Sequence, residues 1–516
     1  MSSRTIYEFA VYPRKATSHF QFRTRSSSGS AMEEFLHLLP VAFLLCLITL
    51  FFSSRKLYSN PKSKPNLPPS PAALPVIGHL HHLLLLGPSL HRAFHKLSAR
   101  LGPLLYLRLG SVPCVVASDA DAAREFLRAH ELSFCDRPYS QAVTRLNYGD
   151  AGFVFAAHGD YWRFMRRLCV TELLGGRTLE RLRWIRGEET RRFFQTLQGK
   201  AEKGEEVDVG AELMRLTSNV VGRMVMSKRC SATDGEAEGV RKLVEEASEL
   251  AGKFNLADFF GFCKKLDLQG LQKRCDDLHL RFDNFMEGVL REKEGLRRRE
   301  EATGAAGSEH GGMKDLEDTL MDIAEDEGAE IKLTRDNIKS FVHDLFGAGT
   351  DTSAIAMEWA MAELINHPAI MQRAREEIDW VVGASRVVDE SDVPNLPFLQ
   401  AIIRETLRLH PALPVLMRRS TRQCEVMGYD IPAEATIFVN VWAVGRDPKQ
   451  WEDPLEFRPE RFFLGEEGRS AGVDVRGQHF QLLPFGSGRR VCPGTSLALQ
   501  LMETTVALMC SASSGG

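Results

Sequence analysis

The eighteen residues from Phe35 to Phe52 read FLHLLPVAFLLCLITLFF, with only His37, Pro40 and Thr49 breaking the apolar run. That is close to the ~20 residues a bilayer-spanning helix needs. Glu33 and Glu34 precede it, while Arg55, Lys56, Lys62 and Lys64 follow, so the positive-inside rule places the rest of the chain in the cytosol. A cleaved signal peptide is the rival reading. It is disfavoured because the flank before the run is acidic and no small-residue cleavage site follows. The pattern therefore predicts an uncleaved anchor over residues 32–54. Upstream, Met1–Ala31 is rich in Arg and Ser with Glu8 as its only acid, a transit-peptide composition. Since Met32 directly precedes the anchor, upstream sequence joined ahead of the true start is the preferred reading. Prolines at 61, 65, 68, 69, 71 and 75 make residues 55–75 a basic, stiff, extended hinge.

From Ser89 onward the pattern is mostly helical. Apolar runs at Leu104–Leu109 and Cys114–Ala117, separated by Gly110, Ser111 and Pro113, predict a hairpin. Long helical runs cover 337–366 and Thr495–Met509, and the polar stretch Arg297–Met313, with four glycines, predicts a flexible loop. The fold class is mainly α with small β-sheets, an α+β arrangement, in one large domain over 76–509 with an irregular tail over 510–516.

Composition narrows the function. A 516-residue chain with 44% hydrophobic residues has enough apolar material for a substantial core. Its net charge of −3 offers no basic excess for nucleic acid. The ten cysteines stand singly, without a C-x-x-C pair, which argues against structural zinc and for a reducing compartment.

One segment carries the chemistry: Pro484-Phe485-Gly486-Ser487-Gly488-Arg489-Arg490-Val491-Cys492-Pro493-Gly494. Cys492 lies just before a helical start at Thr495, where backbone N–H groups favour a thiolate. Gly486, Gly488 and Gly494 let the backbone approach a large flat ligand, and Arg490 offers a fixed positive charge to a carboxylate. A lone cysteine is usually a buried structural thiol; the spacing F-x-x-G-x-R-x-C-x-G at Phe485, Gly488, Arg490, Cys492 and Gly494 reverses that expectation.

This loop resembles the haem-binding signature of the cytochrome P-450 family, and the likeness extends over roughly Leu67–Leu508. It implies the cytochrome P-450 fold, preceded by one transmembrane helix, and haem b whose iron takes Cys492 as axial thiolate. A second motif, Ala348-Gly349-Thr350-Asp351-Thr352-Ser353, puts an acid and alcohols in mid-helix, where they compete for backbone hydrogen bonds, beside a helix-weakening Gly349. The resemblance makes this a local break over the haem, with Thr352 holding activated oxygen and its water and Asp351 relaying protons.

Glu405 and Arg408 share a helix face, and Arg461 in Phe457–Phe462 resembles the third member of a buried structural triad. Trp162 and Arg166 match a W-x-x-x-R propionate pair, and Arg418 resembles another propionate partner; a surface salt bridge stays open for Arg166 and Arg418. No complete nucleotide-binding loop occurs, so electrons must arrive from another protein; the resemblance implies that this is a NADPH-dependent reductase.

The runs Phe254–Phe260, Leu266–Gly270 and Gln481–Phe485 resemble the plant flavonoid branch of the family: flavone synthase II, flavanone 2-hydroxylase, isoflavone synthase, pterocarpan hydroxylase and a triterpenoid hydroxylase. Pocket candidates are Tyr139–Phe155, Phe341–Gly347 and Pro414–Met417. Only 24 residues follow Cys492, whereas family members continue into a β-hairpin that closes the pocket. This departure predicts weaker stability and substrate binding.

The expectation is an endoplasmic-reticulum monooxygenase, anchored in the membrane, that takes O2 and a small flavanone-type metabolite. Asp351 and Thr352 argue against a haem-thiolate isomerase or dehydratase, and a non-catalytic membrane protein rests only on the short C-terminus.

Overall fold

The computed structural model describes residues 65–512, apart from 88, 150, 230–233, 304–314, 384–385 and 464–471. The expected extension, the anchor and most of the hinge lie outside the described residues. Among those described, no helix is long and apolar enough to cross a membrane. The described end of the hinge is docked rather than free. Asn66 donates its N–H to Asp430 Oδ2 at 2.8 Å and its Nδ2 to the Gly428 carbonyl at 2.7 Å, and the Tyr106 N–H reaches the Pro69 carbonyl. Proline lacks an N–H, so such a segment serves a sheet edge mainly as an acceptor.

The expected hairpin forms: β1 (Leu104–Leu109) and β2 (Val112–Ala117) pair antiparallel with Leu107 opposite Cys114. Four short strands follow much later, β3 (Leu416–Arg419), β4 (Cys424–Val426), β5 (Tyr429–Ile431) and β6 (Thr436–Val439). One sheet runs β1-β2-β6-β3, with β2 parallel to β6, and β4-β5 is a separate ribbon. All four residues of β6 are buried, as a strand covered on both faces requires.

The helices that frame the site are α1 (Gln141–Leu146), α2 (Asp160–Leu168), α3 (Val209–Met226), α4 (Asp234–Gly252), α5 (Leu271–Thr303) and α6 (Leu316–Glu325). A long rod then runs as α7 (Arg335–Gly349) and α8 (Asp351–Asn366), followed by α9 (Pro368–Val382), α10 (Pro397–Leu409) and α11 (Thr495–Ala512). Local chemistry sets the starts. Thr334 and Asn337 form a capping box on α7, Asp315 and Asp318 form one on α6, and prolines open α9 and α10. α3 is buried along most of its length and packs against α7 and α8, the burial expected of an interior helix.

Two expectations are corrected. The start of the stretch read as an irregular tail over 510–516 is helical, since α11 runs on to Ala512; Cys510 is buried there, and its carbonyl accepts from Arg375 Nε at 3.2 Å. The stretch from Arg297, read as loop, is helical to Thr303. Arg297 donates to Asp322 at 3.0 Å and Asp318 at 3.2 Å, ion pairs that hold the last turns of α5 against α6; residues 304–313 lie outside the described residues.

Candidate active site

Cys492 closes an irregular loop three residues before α11. Its N–H donates to the Phe485 carbonyl at 2.9 Å, and Thr495 Oγ1 donates to the Cys492 carbonyl at 3.0 Å. Gly488 has φ 70°, and a β-carbon there would lie 2.3 Å from Glu131 Oε1 and 2.6 Å from the Leu127 carbonyl, so the turn admits only glycine. Burial pushes the Cys492 thiol up, while the Gly494 N–H, Arg166 and Thr495 draw it back towards thiolate. A bound metal ion decides such a balance, because a coordinating thiol is deprotonated outright. Cys169 and Cys510 differ: both are buried thiols pushed up to about 12.

At this loop the structure gathers Arg490 of the loop itself with guanidinium groups from two remote segments. Arg490 donates Nε to the Cys135 carbonyl at 2.8 Å, Nη1 to the Val154 carbonyl at 3.4 Å and Nη2 to the Ala156 carbonyl, and it lies 4.4 Å over the Trp162 ring. Arg418, buried on β3, donates to the Met417 carbonyl at 3.0 Å. Arg137 donates to the same carbonyl at 2.8 Å, and its Nε is buried without a partner.

Burial, then repulsion between the guanidinium groups, weakens proton binding by Arg418 and Arg490. Among the described residues, no carboxylate lies within ion-pair distance of Arg137, Arg418 or Arg490. Interior cations without counter-ions are costly, and such a cluster fits a ligand that brings its own carboxylates. The residues present therefore suit haem, with its two propionates and an iron that accepts a thiolate.

Arg137 was not singled out from the sequence, and no local motif announces it; it arrives because Asp136 bridges to Arg419 on β3. Trp162 backs Arg490, and the partly buried Arg166 has Arg490 and the thiols of Cys169 and Cys492 as neighbours.

The rod breaks at Thr350, which separates α7 from α8. Thr352 Oγ1 donates to the Ala348 carbonyl at 2.8 Å, a back-bond that bends helices. Gly349 has a packing reason as well, since a β-carbon there would press Val221 of α3 at 2.9 Å. Ala348 and Thr352 are exposed one turn apart on one face. Asp351 faces elsewhere. Burial pushes its carboxyl up to about 6, opposed by a hydrogen bond from Ser248 on α4 and reinforced by Glu245. Asp351 Oδ1 and Thr350 Oγ1 are both buried without a protein partner, the polar setting that an ordered water occupies.

Behind the cysteine loop the expected triad forms. Glu405 accepts from Arg408 Nε at 2.6 Å and Nη2 at 2.7 Å, and from Arg461 Nε at 3.3 Å. Of the pocket-wall candidates, Phe341 on α7 packs edge-on against Phe153, ring centroids 5.3 Å apart, and Leu416 on β3 lies beside Gly486.

Comparison with known proteins agrees with this geometry. The family model for cytochrome P-450 matches residues 68–511. Cytochrome P-450 93A3 of Glycine max is 52% identical over 471 residues, covering 91% of this chain and 90% of the relative. The 3,9-dihydroxypterocarpan 6A-monooxygenase of Glycine max is 51% identical over 469 residues, covering 90% of each. Among solved structures, a zebra fish cytochrome P-450 with progesterone superposes with a TM-score of 0.68 at 28% identity, covering 82% of this chain and 92% of the other.

Proposed function

The chain belongs to the cytochrome P-450 family, and from that membership we propose that it oxidises a polycyclic phenolic plant metabolite of the flavonoid type from a membrane anchor. Membership makes it a haem-thiolate monooxygenase that uses O2 and electrons from a reductase. When bound, haem supplies oxygen activation at an iron that a thiolate ligand makes electron-rich.

We assign the protein's own parts as follows. Cys492 ligates the iron, and the loop from Phe485 through Gly488 to Gly494 holds the sulfur at the start of α11. Arg137, Arg418 and Arg490 bind the propionates, with Trp162 backing Arg490 and Arg166 keeping positive charge near the sulfur. The Thr352 hydroxyl uses its proton on the Ala348 carbonyl, so its lone pairs are free to accept from a water at the break. Asp351 is poised to exchange a proton near pH 6 from the other side of that break.

The observation that carries the haem assignment is the set of three interior guanidinium groups at the cysteine loop that form no ion pair among the described residues, with Asp136 and Glu131 only at longer range. For the substrate, support comes from the pterocarpan-oxidising relative at 51% identity. For the anchor, support is the Phe35–Phe52 run; an endoplasmic-reticulum location would follow.

The test uses membranes carrying the full chain. A carbon-monoxide difference spectrum is recorded first, and a thiolate-type Soret band is expected. Flavanones, pterocarpans and a triterpenoid are then supplied with NADPH and a reductase. Oxygen-dependent product from a flavonoid supports the proposal. Turnover of the triterpenoid alone refutes the substrate class, and product formed without O2 refutes the reaction. Recovery of the chain in the soluble fraction refutes the anchor.

A further inference from the structure

His158 stands just before α2, in the stretch that joins the Arg490-bound carbonyls to Trp162, and the chemistry above gives it no task. Its backbone is fixed from two directions. The carbonyls of Val154 and Ala156 accept from Arg490, and the His158 N–H donates to Asp136 Oδ1 at 2.7 Å. The Asp136 carbonyl in turn accepts from the Arg419 N–H at 2.8 Å. The segment that brings Arg137 to the cradle therefore also seats His158. The imidazole lies 5.3 Å from the Trp162 ring, centroid to centroid, and Arg490 lies 4.4 Å over the same indole. His158 Nε2 is buried there without a protein partner.

A buried nitrogen left unpaired is costly, so one beside a cation cluster points to a ligand group that it meets. Its protonation narrows the group. Burial, then the charges of Arg489, Arg163 and Arg490, lower the imidazole pKa, with Asp136 opposing them. The ring is therefore neutral at about pH 7 and carries a single N–H. Donors are also scarce at this point, because Arg490 commits Nε, Nη1 and Nη2 to the carbonyls of Cys135, Val154 and Ala156. A carboxylate only accepts hydrogen bonds. The guanidinium groups supply charge for it, and the imidazole supplies a donor that no backbone carbonyl has claimed.

We infer that His158 is a further haem-binding residue, donating its Nε2–H to a propionate oxygen on the Arg490 side of the cradle. The inference rests on the haem-thiolate reading. Packing on Trp162 is the competing role, and two substitutions separate them. His158→Phe keeps a ring against the indole and removes the donor, whereas His158→Gln keeps a donor and removes the ring.

The test needs neither substrate nor turnover. The carbon-monoxide spectrum is recorded first, and absence of a thiolate-type band in the unsubstituted chain would refute the haem reading itself. The haem-loaded full chain and both variants are then mixed with excess apomyoglobin, and haem release is followed in the Soret region. His158→Phe is expected to release haem about tenfold faster, the scale of one hydrogen bond to a charged group, and His158→Gln to stay within about threefold of the unsubstituted chain. The chains are also reconstituted with haem dimethyl ester, which has no carboxylate charge, and there the effect of His158→Phe should shrink to about twofold. A tenfold effect that persists with the ester overturns the inference, because His158 would then act by packing. Equal release by all three chains overturns it, as does a glutamine variant as fast as phenylalanine. Should His158→Phe take up no haem, the propionate bending band in the resonance Raman spectrum of His158→Asn, whose shorter amide moves the donor, is expected to shift from that of the unsubstituted chain. An unchanged band overturns the inference.

Discussion

Replacing Glu405 by alanine tests whether the buried network behind the cysteine loop holds the haem domain together. Glu405 takes four donors: Arg408 Nε at 2.6 Å, Arg408 Nη2 at 2.7 Å, the Arg458 N–H at 2.8 Å and Arg461 Nε at 3.3 Å. Arg408 lies 5.2 Å over the Trp451 ring and also donates to the carbonyls of Gly445, Pro454 and Glu456. Without the carboxylate, two interior guanidinium groups keep only neutral acceptors. Breaking a buried pair from one side costs about 3–5 kcal/mol, a large part of the roughly 5–15 kcal/mol that holds a typical native protein folded. Unfolding entropy of about 2.1 cal/mol/K per residue, over roughly 450 residues, makes 1 kcal/mol worth about 1 °C. A fall of about 3–5 °C in Tm is therefore expected. The assay follows loss of the thiolate-type Soret band on heating, with Glu405→Gln alongside. The amide keeps the shape and one acceptor oxygen and should fall between the two. An alanine midpoint within about 1 °C of the unsubstituted chain, against the scale set by unfolding entropy, would refute the reasoning, as would a glutamine variant no better than alanine.

Cys492→Ser is expected to abolish the thiolate-type band while far-UV circular dichroism still reports the helices; a normal band would refute Cys492 as the ligand. Thr352→Ala removes the hydroxyl at the helix break, so NADPH and O2 should still be consumed while product per NADPH falls about tenfold or more and peroxide rises, a modest share of a general-acid contribution. Unchanged coupling counts against Thr352. The Asp351 carboxyl is raised by burial to about 6, so the folded chain binds a proton that the unfolded chain releases at lower pH. Its charge thus costs stability above about pH 6, and the cost fades as pH falls towards about 4. Asp351→Asn should raise Tm more at about pH 8 than at about pH 5, and equal shifts at the two pH values would refute the burial argument.

What could be read from the sequence was local. The cysteine loop needs its glycines, arginine and thiol at fixed spacing within eleven residues, so covalent order alone marks it. The β1–β2 hairpin is short-range, and the interrupted rod over 337–366 shows in its run of Gly349, Thr350, Asp351 and Thr352. Asp344 lay within the helix face named for the pocket, yet nothing in the sequence separates its carboxylate from that of a solvated helix acid. The helical extension to Thr303 was also hidden, because a polar stretch looks like loop until Arg297 meets Asp318 and Asp322 on α6.

By itself the sequence determined which residues could supply a thiolate, a proton and a helix break, since those depend on residue type and near-neighbour spacing. Only the tertiary structure decided which charges are left without partners. Arg490 and Arg418 were marked by motif and resemblance, but Arg137 is an unremarkable cation along the chain; the three become a cradle when β3 and the segment around Asp136 are brought together over 283 positions. The same holds for Asp344, whose carboxylate finds its donors only when Asn147, Phe153 and Val154 meet α7. Burial and charge pairing belong to groups that meet from remote segments, and remote meeting is what the core and the sheet impose.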